Sequence, residues 1–249
     1  MLKISKKLIF REENVLLQDF GGREIRIFQK SDFLTSGGRY RVTESLLGKI
    51  SGKLLIEINV PIEVEVTFEA QINANVKGAI AHANARGAKA YANAPEAKAY
   101  AYERGSEAHA KVRGAKARAD ESGAIAYATV DGAEAYANIR GAKAYAKVRG
   151  AEAHANADGA KAYAKVRGAE AHANEPGAEA HATVRGAEAH ANADGAKAYA
   201  NKPGAEAYAK WKGAIAYANA DGAIAHANVW GAEAHANVDG AKAYANADG

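Results

Sequence analysis

The sequence contains no cysteine, which excludes a disulfide framework, a thiolate nucleophile and a cysteine-ligated zinc. Large apolar side chains are scarce over most of its length. Hydrophobic residues make up 48% of the 249, yet from Gly78 onward there is no leucine, methionine or phenylalanine, and valine and isoleucine are scattered among alanines. A globular enzyme fills its core with bulky side chains at crystal-like density, so a conventional core is confined to the N-terminal quarter. No apolar run reaches the ~20 residues that span a bilayer. Arg11, Glu12 and Glu13 interrupt the basic start before a stretch of signal-peptide length develops, so classical export is not expected. An excess of one charge is also missing. Lys and Arg number 33 against 29 Asp and Glu, interleaved along the chain, and no basic tail or acidic block points to nucleic acid or membrane.

What the chain does have is a repeat of nine. From Gly78 it divides into 19 blocks of the form Gly-Ala-x-Ala-z-Ala-Asn-y-Asp, with x Lys, Glu or Ile and z Tyr or His. Gly141–Arg149 reads GAKAYAKVR and Gly150–Asp158 reads GAEAHANAD; position one is glycine in every block except where Glu96 stands. A degenerate copy, Glu69–Lys77, joins the array to what precedes it. Alternation of small apolar with large polar residues is the period-two signature of a strand with one buried face. The alanines face in, and Lys, Glu, Tyr and His face out. Alanine favours helix, but glycine every ninth residue, the Asn-Ala-Asp-Gly segments and the Pro-Gly pairs break one. Asn156–Gly159, Asn192–Gly195 and Asn219–Gly222 suit corners, because Asn, Asp and Gly tolerate positive φ. The expected fold is therefore all-β: a nonapeptide-repeat β-helix or β-solenoid shaft with an alanine core over residues 69–249. Residues 1–68 form a small β-rich head, with strands expected at Lys7–Phe10, Val15–Gln18, Ile25–Gln29, Tyr40–Thr43 and Leu54–Phe68.

Two arrangements bury the alanines. A single-chain solenoid with an 18-residue turn stacks repeat n on n+2, whereas an intertwined homotrimer stacks repeat n of one chain on n+1 of its neighbour. Opposite charges facing across strands stabilise by ~0.2–1 kcal/mol and like charges oppose pairing. At position three, adjacent repeats give nine opposite and three like pairs, while repeats two apart give four opposite and six like. Lys143, Glu152, Lys161 and Glu170 alternate cleanly only between adjacent repeats. The charge order thus favours the homotrimer; an antiparallel meander would set Lys opposite His, a poorer match.

All eight histidines and ten of the twelve tyrosines occupy position five, as expected of an aromatic stripe that stacks along a rod. The sharper alternative is a chain of metal ions between neighbouring histidines, for which His172, His181 and His190 are the candidates. Glu accompanies His in six blocks, but a catalytic pair is rarely copied six times on a convex surface without a pocket. No enzymatic activity and no cofactor are expected. The calcium-binding nonapeptide rolls of repeat toxins need an aspartate where this chain has Ala83, Ala92 or Ala146.

A small β head followed by a long uninterrupted repeat shaft resembles the fibre, spike and central-spike proteins of bacteriophage tails. The resemblance implies a trimeric β-helical shaft, an N-terminal region (residues 1–68) that attaches to other particle proteins, and a place on a virion or extracellular appendage. A monomeric solenoid that binds glycan, ice or metal, and a filament that polymerises end to end, are the alternatives.

Overall fold

The computed structural model describes residues 4–19, 21–47 and 53–245. Strands β1 (Ile4–Phe10), β2 (Asn14–Asp19), β3 (Glu24–Gln29), β4 (Tyr40–Val42), β5 (Lys53–Ile58), β6 (Glu63–Val66) and β7 (Ala70–Ala74) precede the repeats. A 3-10 turn at Lys30–Phe33 and one helical turn, α1 (Glu44–Leu47), interrupt them. The single strand expected over Leu54–Phe68 is two, because Pro61 has no N–H to give to a ladder and the chain turns there, with the Ile62 N–H donating to the Val60 carbonyl at 2.8 Å. Each of the 19 repeats then supplies one strand of four residues, from β8 (Ile80–Ala83) to β26 (Lys242–Ala245).

These strands build two sheets, parallel throughout except where β2 pairs antiparallel with β1 and β3. Odd-numbered strands from β5 to β25 form the long sheet, which β1, β2 and β3 extend at its N-terminal end; even-numbered strands from β4 to β26 form the short sheet. Strand partners lie 18 residues apart in register, as in Ala162 beside Ala180 and Ala153 beside Ala171. The chain is thus an all-β solenoid, with two repeats to a coil. Its ladder crosses residue 68 without interruption, since β5 pairs with β7 and β6 with β8.

Alternation does what period two requires. The alanines of positions two, four and six are fully buried over most of the shaft, for example Ala160, Ala162 and Ala164, and line the space between the sheets. The corner is a four-residue turn from position eight to position two of the next repeat. In one copy the Ala160 N–H donates to the Ala157 carbonyl at 3.0 Å, and Gly159 holds φ +65°. Positive φ at the third residue defines a type II turn, which glycine occupies without a steric penalty and whose second residue suits proline. Pro95, Pro176 and Pro203 all stand at that second site. Glu96 is the one non-glycine among the described residues with positive φ, at 60°.

The register differs from the one the charges favoured. Each repeat stacks on the second along its own chain, so the intertwined homotrimer, with n on n+1 of a neighbour, is not the arrangement seen. The physical reason is one of scale: each layer added to a sheet closes a set of backbone hydrogen bonds, and a surface charge pair contributes only ~0.2–1 kcal/mol against that. One chain that reverses at every glycine closes those bonds by itself.

Candidate functional site

Because stacking runs two repeats at a time, the outward residues of alternate repeats form columns along each sheet. On the long sheet, position five gives an unbroken column of rings from Tyr91 through His109, Tyr127, Tyr145, Tyr163, His181, Tyr199 and Tyr217 to His235, with centroids 4.6 to 5.3 Å apart. That spacing matches the ~4.8 Å between strands, so the ladder itself sets the stack. On the short sheet Arg118 interrupts the column, its guanidinium lying 5.7 Å from Tyr100 and 5.6 Å from Tyr136. From Tyr136 the rings run on through His154, His172, His190, Tyr208 and His226 to Tyr244. Position seven adds amide ladders: Asn156, Asn174 and Asn192 each donate from Nδ2 to the Oδ1 of the asparagine one layer before, Asn138, Asn156 and Asn174, at 2.9 to 3.0 Å. The asparagines expected to turn corners therefore serve the ladder, while the Ala-Asp-Gly that follows makes the turn.

Charge, interleaved in the sequence, is sorted in space. Down the long sheet, position three reads Lys89, Glu107, Ile125, Lys143, Lys161, Glu179, Lys197. Lys89 bonds Glu107 at 2.9 Å and Lys161 bonds Glu179 at 2.7 Å. Burial would raise the Glu107 and Glu179 carboxyls, but these lysines together with His109 and His181 hold both below the usual carboxylate range. The corner after the long sheet gathers cations, with Lys111, Arg113, Lys147, Arg149, Lys165, Arg167 and Arg185 all at multiples of 18 from one another or two residues off. The Lys111 and Lys147 ammoniums lie 4.0 and 3.9 Å from the Tyr91 and Tyr127 ring centroids.

Down the short sheet the same position reads Glu134, Glu152, Glu170, Glu188, Glu206, five like charges in register. The outer two have local relief. Glu134 pairs with Lys116 at 3.1 Å and accepts from the Tyr136 hydroxyl, and Glu206 accepts from the Tyr208 hydroxyl. Among the described residues the inner three form ion pairs only with imidazoles: Glu152 lies 3.2 Å from Nε2 of His154, Glu170 lies 3.4 Å from Nε2 of His172, and Glu188 lies 3.4 Å from Nε2 of His190. Nε2 of His190 is also 3.7 Å from Glu170. Burial and then the neighbouring Glu170 and Glu206 push the Glu188 carboxyl up. Burial, reinforced by His154 and His190, lowers His172 to about 3, and burial with Lys210 lowers His190 to about 4. Burial likewise lowers His154, so all three rings favour the neutral form.

The candidates His172, His181 and His190 thus divide. His172 and His190 are stacked neighbours on the short sheet, 4.9 Å apart. His181 lies on the long sheet between Tyr163 and Tyr199. Parity decides this: odd and even repeats lie on opposite sheets, so blocks adjacent in sequence are not adjacent in a ladder. The member that sequence order missed is His154, 4.9 Å from His172; reading every second repeat finds it. A second group, His82, lies buried where the shaft begins, stacked on Tyr100 at 4.8 Å and Tyr102 at 5.4 Å and facing Glu63 at 2.5 Å.

No family model, curated protein or solved structure matches this chain. The fold and the chemistry of its columns are the basis for any functional conclusion.

Proposed function

We propose that the protein is a non-enzymatic structural rod, a stiff shaft that sets a fixed distance between whatever residues 1–68 attach to and whatever lies beyond the far end. The observation that carries this is the continuity of two in-register parallel ladders from β5 to β26 around a core of methyl groups. Such a body has no hinge, because every layer is bonded to the one before and the one after along the described shaft. A column of about 13 strand spacings at ~4.8 Å each makes a rod about 60 Å long.

Attachment through the N-terminal region is supported by β3, the outermost strand of the long sheet, where Ile25 and Ile27 are 46% and 57% exposed. An edge unpaired among the described residues and carrying apolar side chains is a surface that another protein covers. The head-then-shaft layout suits an appendage of the phage tail-fibre kind, on a virion or cell exterior. Three chains in such an appendage would pack as three finished coils, since the shaft's ladder bonds are already used within each chain. A glycan-binding module is less well supported: sugars stack on ring faces, and here the faces of every ring inside a column are covered by the rings above and below it.

Small-angle scattering and negative-stain microscopy of the full chain test the rod. An elongated particle with the length given above is expected, and a compact globule would overturn the proposal. Antibody raised against the shaft tests the appendage on native material. Label on projecting structures is expected, whereas label confined to the soluble cell interior rejects that placement and leaves the rod standing.

A further inference from the structure

Five glutamates stacked at strand spacing are the least favourable feature of the short sheet, since like charges directly opposite destabilise a ladder. Among the described residues no lysine or arginine forms an ion pair with Glu152, Glu170 or Glu188; Lys210, beside Tyr208, acts on Glu188 only through its field. Their partners are three imidazoles, and among the described residues two groups of three ligand atoms come within 4.8 Å of one another: Glu152 with His154 and His172, and Glu170 with His172 and His190. His190 is 3% exposed, and its Nδ1 has no hydrogen-bond partner.

We propose that this Glu–His array is a binding site for a divalent transition-metal ion of the zinc class. Carboxylate oxygen and neutral imidazole nitrogen together are a ligand set for zinc, cobalt or nickel rather than for calcium or magnesium, which take oxygen alone. A tetrahedral ion with bonds of 2.0 to 2.1 Å holds its ligand atoms about 3.3 Å apart. The Glu–His separations of 3.2, 3.4 and 3.7 Å already match that, and the stacked rings need only side-chain rotation to converge. The ion adds two positive charges where the ladder has accumulated negative ones. Rigid backbone presents the ligands, and the site faces outward, so the fourth position goes to water. Both groups use His172, so filling one removes a ligand from the other and one tight ion per chain is the expected stoichiometry. The long-sheet pairs Glu107–His109 and Glu179–His181 differ in kind: Lys89 and Lys161 occupy the carboxylates of Glu107 and Glu179, and the rings beside His109 and His181 are tyrosines.

The test is calorimetric titration of the tag-free full chain with zinc chloride, with visible absorption of the cobalt-loaded protein as a second readout. One zinc per chain at low-micromolar affinity or better is expected, with the intense absorption of tetrahedral cobalt. His172→Gln should weaken binding by more than about 100-fold, beyond what loss of an outer-shell partner typically costs, and His181→Gln should leave it unchanged. Should His172→Gln fail to fold by circular dichroism, the double variant Glu152→Gln/Glu170→Gln, which alters only half-exposed carboxylates, should give the same loss. No binding below millimolar zinc, equal loss in the His172 and His181 variants, or displacement of zinc by equimolar calcium would each overturn the proposal.

Discussion

The base and the shaft of the rod are held together by different physics. At the base, Leu8, Phe10, Leu54, Ile56, Ile58 and Ile72 are buried between the sheets, and Phe10, Phe28, Phe33 and Tyr40 meet edge to face at 5.4 to 5.8 Å. Each such side chain contributes roughly 1.5–3 kcal/mol by leaving water. Beyond Ile72 the interior, apart from the buried Ser106, is methyl groups, about 0.8 kcal/mol apiece, less than the ~1–2 kcal/mol of backbone entropy lost per ordered residue. The shaft must therefore draw its cohesion from directions other than inward: backbone ladders, amide columns and stacked rings, all running along the axis. Burial organises the base, and repetition organises the shaft.

Acid should separate the two most sharply. Every histidine held below its ordinary value lies in the shaft. Outside the Glu–His array these are His82, His109 and His181, each lowered chiefly by burial, His109 to about 4. The unfolded chain, with imidazole near 6.5, binds more protons than the folded one between those values. Stability is thus complete above pH 6.5 and declines as pH falls from there toward about 4. Both tryptophans, Trp211 and Trp230, are in the shaft, so in a chelator-containing buffer their fluorescence should report melting at progressively lower temperature across this window. His109→Gln should flatten the slope, and an unchanged slope would show that His109 does not carry the effect.

Exchanging core residues between the regions comes next. Ile56→Ala leaves a cavity in the base and should cost about 2–5 kcal/mol in urea unfolding, whereas Ala162→Leu forces the shaft's sheets apart for about 1–3 kcal/mol or more. A shaft that accepts leucine without loss would show that its sheets are not in contact. Corners give smaller effects. Gly177→Ala sets a Cβ at φ +72° against the Asp158 carboxylate and should destabilise by about 1–2 kcal/mol. Glu96→Gly removes the reverse defect and should raise stability by up to about 1 kcal/mol. Its ion pair with Lys77 joins two exposed side chains, and losing it should matter little. A lowered melting temperature for Glu96→Gly would mean that this corner is not strained.

Much of this was legible in the residues. Alternation placed Ala162 and Ala164 inside and Lys161 and Tyr163 outside, and Gly159 marked its corner. Stacking order was not, because Lys143, Glu152, Lys161 and Glu170 form a better charge series between adjacent repeats than the ladder uses. Side-chain pairing is a weak term, and backbone closure overrode it. The placement of His181 failed with it: one wrong period moves a residue to the opposite sheet. The near-neutral total of Lys, Arg, Asp and Glu likewise hid a glutamate file on one sheet and a cationic corner at the end of the other.

That two-repeat coil has a consequence for any change in length. Inserting one nonapeptide turns everything distal to it through half a revolution, so that Glu152 and His154 would exchange faces with Lys161 and Tyr163, and files of like residues would be cut at the insertion. Inserting two lengthens the rod and leaves each file intact. Growth or loss that preserves surface pattern is therefore quantised in steps of 18 residues, the spacing between ladder partners.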